Sequence, residues 1–238
     1  QWRLGLGDDQ QALSLIEQQA KLLAAVEQAQ VGLRLDAVTL HGRTLRLLDR
    51  SLDCLQVMAA GEGLLPRIQS SLPLQQANFL SQQGRCKRLS GERQEARELF
   101  ERSLQLRQAR KDSAGVAENL YDLALLNGDM GHPDDALASY DLALDHLHRF
   151  VGKRNALAAE IQTSRGRLLR ARGESAASRA TYLEALSIAE EIYGNQHPIA
   201  LGIRRQLIAL QVDQEHYVAA EQQIYPLLKL TLASLGPY

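Results

Sequence analysis

Apolar residues recur at steps of three and four along most of the chain, which is the spacing of one face of an α-helix. The clearest stripe in the amino-terminal third consists of Leu45, Leu48, Leu52, Leu55 and Ala59. This stripe predicts a helix over residues 35–60, and a similar face predicts a preceding helix over residues 8–30. Gly and Pro residues interrupt the pattern between residues 61 and 73, where we expect a loop or a short helix. No segment shows convincing strand-like alternation, so the pattern predicts an all-α protein.

A repeat of about 42 residues underlies the remainder of the chain. Gly131, Ala136 and Tyr140 recur one period later as Gly173, Ser178 and Tyr182, and one slightly shorter period earlier as Gly91, Ala96 and Phe100. Counting a more divergent copy near the carboxyl terminus, four units lie in register. Each unit predicts a hairpin in which helix A ends at a glycine turn and helix B follows it. The small residues of both helices would let the two backbones approach closely.

Such hairpins cannot bury their apolar faces alone, so we expect them to stack into a superhelix with a concave inner face. The sequence therefore predicts two regions: residues 1–73 form an amino-terminal helical pair, and residues 74–238 form four hairpins. The first pair is interpreted as a divergent repeat that caps the stack. The alternative is a coiled-coil or dimerisation element, through which the chain would form a homodimer.

The repeat resembles the tetratricopeptide family, and its length is similar to that of the kinesin light chain type. The resemblance rests on the repeated anchors and on residues 185–198, which read ALSIAEEIYGNQHP, and it covers residues 74–238. It implies an α-α superhelix that binds proteins or peptides without catalysing a reaction. The last unit departs from the pattern, because Glu215 replaces the turn glycine and Ile224 replaces the aromatic residue. We therefore expect this unit to pack irregularly or to act as a cap.

Charge and composition narrow the choice of partner. The formal net charge is -1 and aromatic residues make up 5% of the chain, which does not favour binding of nucleic acid. No apolar run reaches the roughly 18 residues that a membrane span requires. The chain starts at Gln1 without an initiator Met, so we expect it to be part of a longer protein. Cys54 and Cys86 have no metal-binding spacing and are expected to be reduced and buried. We therefore predict a cytoplasmic protein, with the periplasm as the alternative.

Familiar enzyme motifs are missing from the sequence, so we predict no enzymatic activity, no cofactor and no metal. The densest group of candidate metal ligands is Asp145, His146 and His148. Two histidines two residues apart on a helix point in different directions and do not readily share a metal ion.

The concave face of such a stack is lined mainly by helix A, so polar residues on that helix are the candidate ligand contacts. Arginine recurs among them, and its planar fork suits carboxylates. The predicted peptide-binding residues are Asn78, Arg85, Arg88, Glu118, Tyr121, Asp129, Arg167, Arg170 and Arg205. They predict a scaffold for acidic or carboxylate-bearing peptides, as the sensor or interaction domain of a larger bacterial regulatory protein. The alternative is a nucleic-acid-binding or dimerisation module of a signalling kinase or transcription regulator.

If these arginines bind an acidic peptide, replacing Arg167 and Arg170 together by Ala should weaken binding by about 1.5 to 3 kcal/mol for each lost contact, less any non-additivity. Added salt should also weaken binding, because exposed charges are screened over about 8 Å at physiological ionic strength. Peptide titrations at two salt concentrations would measure both effects. Equal binding by the wild type and the double variant would place the ligand surface elsewhere.

Overall fold

The computed structural model describes residues 9–25, 31–68 and 72–234, and every regular element in these ranges is an α-helix. The helices are α1 (Asp9–Ala25), α2 (Val31–Leu47), α3 (Ser51–Glu62), α4 (Leu65–Ile68), α5 (Pro73–Leu89), α6 (Arg93–Ala109), α7 (Ser113–Asp129), α8 (Pro133–Phe150), α9 (Ala156–Ala171), α10 (Ser175–Tyr193), α11 (Pro198–Asp213) and α12 (Tyr217–Ser234).

The chain divides into two compact units, Gln1–Leu126 and Asn127–Tyr238, with the boundary near the end of α7. In the first unit α1 packs on α2, and the hairpins α2/α3 and α5/α6 are joined because α2 and α3 both contact α5. In the second unit α8 packs on α9, and the hairpins α9/α10 and α11/α12 meet through α10 and α11. The division at residue 73 that the repeat register suggests remains a prediction.

The predicted helix over residues 35–60 is wrong, because the chain turns between α2 and α3. Asp49 adopts a positive φ of 57°, and the Arg50 amide closes the turn by donating to the Leu45 carbonyl at 2.9 Å. The turn rotates the following residues, so Leu52 is exposed although the apolar stripe placed it inside. Cys54 and Met58 are buried in its place.

Helices α2 and α3 form a hairpin in the same register as the hairpins farther along the chain. The residue at the turn has a positive φ in every case: Asp49, Gly91, Gly131, Gly173 and Glu215. These positions follow one another at the period of the sequence repeat. Asp49, Cys54 and Met58 take the places of the glycine, the small residue and the aromatic residue, which is why the register was not visible in the sequence. Glu215 likewise keeps the turn conformation of the glycine it replaces.

In two of the hairpins a large side chain of helix B packs directly on a glycine of helix A. A Cβ atom added to Gly84 would lie 2.6 Å from the Phe100 ring, and one added to Gly166 would lie 2.7 Å from the Tyr182 ring. Both rings are completely buried. The two helices therefore meet at a distance that only glycine permits.

The expectation of two reduced thiols is wrong, because Cys54 and Cys86 form a disulfide in the first unit. The cysteines are 32 residues apart in sequence, and their Cα atoms lie 5.9 Å apart, within the usual range for a disulfide. The sequence did not reveal the pairing, because the two residues meet only when α3 packs on α5.

The glycine contact makes a direct prediction about stability. Gly84→Ala should destabilise the protein by about 1 to 3 kcal/mol, because the new methyl group overlaps a ring that has no room to move. Gly128→Ala is the matched control: this helical glycine has nothing within 4 Å of an added Cβ, and alanine should be neutral or up to about 1 kcal/mol stabilising. Urea unfolding of both variants would test the difference, and an unchanged stability of Gly84→Ala would contradict the contact.

Candidate functional site

The first unit contains a polar cavity of about 430 Å³ on the faces of its A-type helices. Its lining residues are Asp36, Thr39, Leu40 and Arg43 of α2, Asn78, Ser81, Gln82 and Arg85 of α5, Arg107 of α6 and Glu118 of α7. Successive A helices therefore contribute to one surface, as the sequence predicts. Three of the predicted contact residues, Asn78, Arg85 and Glu118, line this cavity.

Arg85 is held in place by two carboxylates one helical turn apart on α7. Its Nε donates to Asp122 Oδ1 at 2.9 Å, and its Nη2 donates to Asp122 Oδ2 at 2.9 Å and to Glu118 Oε1 at 2.8 Å. Burial alone would lower the pKa of the Arg85 guanidinium, but the two carboxylates raise it above its ordinary value. Arg85 is therefore a permanently charged part of the cavity wall, and its forked face is already occupied.

Arg107 extends the same network from helix α6. It is buried, and it donates to Asp112 Oδ2 at 2.9 Å and to Asn78 Oδ1 at 2.8 Å, with a longer contact of 3.5 Å to Glu118 Oε2. Burial alone would raise the pKa of Glu118, but the charges of Arg85, Arg107 and Arg43 hold it below its ordinary value. Glu118 is therefore ionised at neutral pH and bridges two arginines.

Asn78 acquires a defined orientation from this network. Because an arginine can only donate, the atom of Asn78 that faces Arg107 must be its carbonyl oxygen. The Asn78 side chain is exposed and lines the cavity, so its amide group remains available as a donor. An amide held in this way can bind the carbonyl or carboxylate oxygen of a ligand.

Arg43 differs from the other two arginines of the cavity. It is exposed, and it forms no ion pair with another residue in the described ranges. Its charge contributes to the lowered pKa of Glu118. Among the arginines that line the cavity, Arg43 is the one whose guanidinium hydrogen-bonding groups are uncommitted.

A buried network of uncharged groups lies behind the cavity and joins α5, α6 and α7. Ser81 and Ser103 share a hydrogen bond of 2.8 Å, and Asn119 donates to the Phe100 carbonyl at 3.1 Å. Ser103 also donates to the Ala77 carbonyl at 2.8 Å. These bonds satisfy polar groups that would otherwise be costly to bury, and they hold the helices that carry Arg85, Arg107 and Glu118.

The second unit has a smaller cavity of about 360 Å³, which α9 and α11 form with Arg167, Arg170, Ala171, Gln206 and Asp213. Arg170 pairs with Asp213 through two of its nitrogens, and this hydrogen bonding lowers the pKa of Asp213. Arg167 is exposed and donates to Ser164 at 2.8 Å. It has no ion pair within the described part of the chain.

The remaining predicted contacts lie outside the two cavities. Tyr121 is buried in the first unit and does not offer an exposed ring. Arg88 is half-buried in α5, while Asp129 and Arg205 are exposed on α7 and α11. The sequence analysis did not identify Arg43 or Arg107 as cavity residues. Arg107 lies on a B helix, and Arg43 lies in the hairpin whose register was hidden, so neither met the criterion of an exposed helix A position.

Comparison with known families agrees with this geometry. Residues 75–147 and residues 159–199 each match a family model described as tetratricopeptide repeat. The chain therefore contains tetratricopeptide repeats in these two segments. The predicted all-α repeat fold is thereby confirmed. No curated protein matches the sequence.

Several solved structures resemble the fold at low sequence identity. BtubC (BKLC) from P. vanneervenii is 15% identical with a TM-score of 0.75, over 97% of this chain and 94% of that one. A kinesin light chain protein from Podosopora anserina with nearly identical TPR-like repeats is 13% identical with a TM-score of 0.68, over 87% and 99%. NprR in complex with its cognate peptide NprX is 15% identical with a TM-score of 0.68, over 91% and 62%. The chain thus spans less than two thirds of NprR, and all three likenesses show the fold alone.

Within residues 9–25, 31–68 and 72–234, each helix is too short or too polar to cross a lipid bilayer. The same ranges hold no group of three His, Cys, Asp or Glu side chains arranged to bind a metal ion.

The two ion pairs should contribute differently to stability. Asp122→Asn should cost about 3 kcal/mol, because it removes the main counter-charge of a largely buried arginine. Asp213→Asn removes the partner of Arg170 from a more exposed, solvent-screened pair and should cost much less. Thermal and urea unfolding of the two variants would measure the difference. Equal losses would show that the Arg85 network does not stabilise the first unit as its burial suggests.

Proposed function

We propose that the chain is a non-catalytic scaffold that binds a peptide in the cavity of the first unit, and that Arg43 and Asn78 recognise a carboxylate of that peptide. The observation that carries this proposal is that some polar groups of the cavity already have partners within the protein and others do not. Arg85 and Arg107 are occupied by carboxylates of the protein itself, whereas Arg43 and the amide group of Asn78 are not.

The charges around the cavity indicate the kind of peptide. Three arginines, at positions 43, 85 and 107, are accompanied by the carboxylates of Asp36, Asp112, Glu118 and Asp122. The cavity therefore has no large positive field, and a run of acidic residues would be repelled by the protein's own carboxylates. A peptide with a single well-placed carboxylate, from one acidic side chain or from its own terminus, fits this arrangement better.

The paired arginines have a separate role in this proposal. Their network holds α5, α6 and α7 in place and orients Asn78 before any ligand arrives. A donor that is already oriented loses little side-chain entropy on binding, which favours affinity. Thr39 and Gln82 line the same wall and offer further hydrogen bonds to a peptide backbone.

Peptide binding by a protein of this fold has a structural counterpart. NprR, which the chain resembles in fold, is known in complex with its cognate peptide NprX. The likeness supports a peptide as the class of ligand and carries no information about its sequence, because the two chains are 15% identical. A role in signalling, as part of a larger regulatory protein, belongs to this proposal, and the description of NprR as a quorum sensor supports it.

Arg167 is a second candidate contact, in the cavity of the second unit. Like Arg43 it is exposed and has no counter-ion in the described ranges. Arg170 is less suited, because Asp213 occupies two of its nitrogens. A loss of peptide binding on changing Arg167 alone would therefore indicate a ligand contact more clearly than the corresponding change of Arg170.

The test is affinity selection from a library of octapeptides with free carboxyl termini, followed by fluorescence anisotropy with a selected labelled peptide. Arg43→Ala should weaken binding about 10- to 150-fold and Asn78→Ala about 2- to 12-fold, as expected for one charged and one neutral hydrogen bond. Neutralising the peptide's carboxylate should weaken its binding to the wild type by the same factor as Arg43→Ala does. The same change of peptide should have little effect on binding to the Arg43→Ala variant.

Arg93→Ala is the matched control. It removes one exposed arginine of the same unit from outside the cavity, so the net charge changes equally while the site is untouched. The proposal predicts unchanged affinity for this variant. If no peptide is selected, or if Arg93→Ala and Arg43→Ala weaken binding equally, the cavity is not a carboxylate site.

A further inference from the structure

Helix α12 is apolar on two faces. One face packs on α11 through residues such as the buried Ala220. The other face is exposed and carries Tyr217, Val218, Ile224, Tyr225, Leu228 and Leu232, whose side chains are 47% to 71% exposed. At 100° per residue these six positions fall within one stripe about 120° wide. A helix with apolar residues on most of its circumference is normally buried.

Nothing in the described ranges covers the outer face of α12, whereas α10, the equivalent helix one repeat earlier, packs on α11 of the next hairpin. The apolar composition of this face is that of a helix surface that packs on another helix.

The charges on this face are arranged symmetrically. Glu221 lies in the middle of the apolar stripe and Lys229 lies at its edge, four residues before and four residues after Tyr225. Both are exposed, and neither forms an ion pair with another described residue. Two copies of α12 packed antiparallel about Tyr225 would place each Glu221 opposite a Lys229 of the other copy. A stripe with one acid and one base equally far from its centre is complementary to itself.

We propose that the outer face of α12 is a homodimer interface, in which two copies of the chain pack α12 antiparallel about a two-fold axis at Tyr225. The 18 residues of the helix span about 27 Å. Six half-exposed apolar side chains of about 100 Å² each would bury roughly 600 Å² per copy, or roughly 1,200 Å² in total, the lower limit of the standard size for specific interfaces. The dimer does not involve the cavity of the first unit, so it stands independently of peptide binding.

The experiment is sedimentation equilibrium of the 238-residue chain between about 1 and 100 µM, a range that spans the weak affinities expected of a small interface. The wild type should approach twice the chain mass of 26.4 kDa at the upper end. Leu228→Glu should remain monomeric over the whole range. Leu142→Glu is the matched control, because Leu142 is similarly exposed on α8 at 58%, and it should dimerise like the wild type. Circular dichroism would confirm that each variant is folded.

Charge reversal tests the antiparallel geometry itself. Glu221→Lys and Lys229→Glu should each weaken dimerisation at least fivefold, because each places like charges opposite one another. The variant with both reversals should recover the wild-type affinity. A monomeric wild type would overturn the proposal and leave the face to another protein or to a further repeat. Dimerisation that survives Leu228→Glu, or that the double reversal does not restore, would overturn the proposed interface.

Discussion

A close contact between a glycine of helix A and a large side chain of helix B is the constraint that three of the hairpins share. Gly42 meets Met58, Gly84 meets Phe100 and Gly166 meets Tyr182, always at the same spacing in sequence. Because a Cβ atom on helix A would overlap the side chain of helix B, each of these three pairs of helices has one depth of approach. The turn between them is fixed as well, since its last residue has a positive φ even where it is Asp49 or Glu215. Glycine adopts this conformation most easily, but the packed helices on either side impose it on these two residues.

This geometry determines where the polar residues of helix A meet. Arg85 reaches Asp122, 37 residues later, and Arg170 reaches Asp213, 43 residues later. Each pair joins one helix A to the next along the stack. The pairs are useful as spacers, because a fork of hydrogen bonds between neighbouring A helices fixes their separation at the surface. These arginines are already paired with carboxylates of the protein. An arginine on helix A is therefore available to a ligand only where the neighbouring A helix offers it no carboxylate.

The repeat and its helices could be predicted from the sequence between Gly91 and Gly173, because glycine, small and aromatic residues recur there at the same structural tasks. The first hairpin could not be recognised in the sequence, because the positions of the glycine, the small residue and the aromatic residue are occupied there by Asp49, Cys54 and Met58. The disulfide was hidden for a related reason, because its two cysteines approach only through the packing of α3 on α5. Asn78, Arg85 and Glu118 were predicted as members of one surface, and they do line one cavity. Their pairing could not be predicted, because Asp122 and Arg107 enter from directions that the periodicity of a single helix does not reveal.

Recurrence of a residue type at equivalent positions is therefore weak evidence that the residue binds a ligand. The arginines that recur on helix A include ones that the fold itself uses, such as Arg85 and Arg170. Arg43, which carries the proposed carboxylate contact, was overlooked because its hairpin shows no obvious repeat. What distinguishes it is the absence of a partner in the described ranges together with its place in the cavity wall. In a protein built from repeats, the residues common to all copies mainly maintain the stack. Recognition depends on groups that the stack leaves unpaired, and these can be identified only once every carboxylate near each arginine has been located.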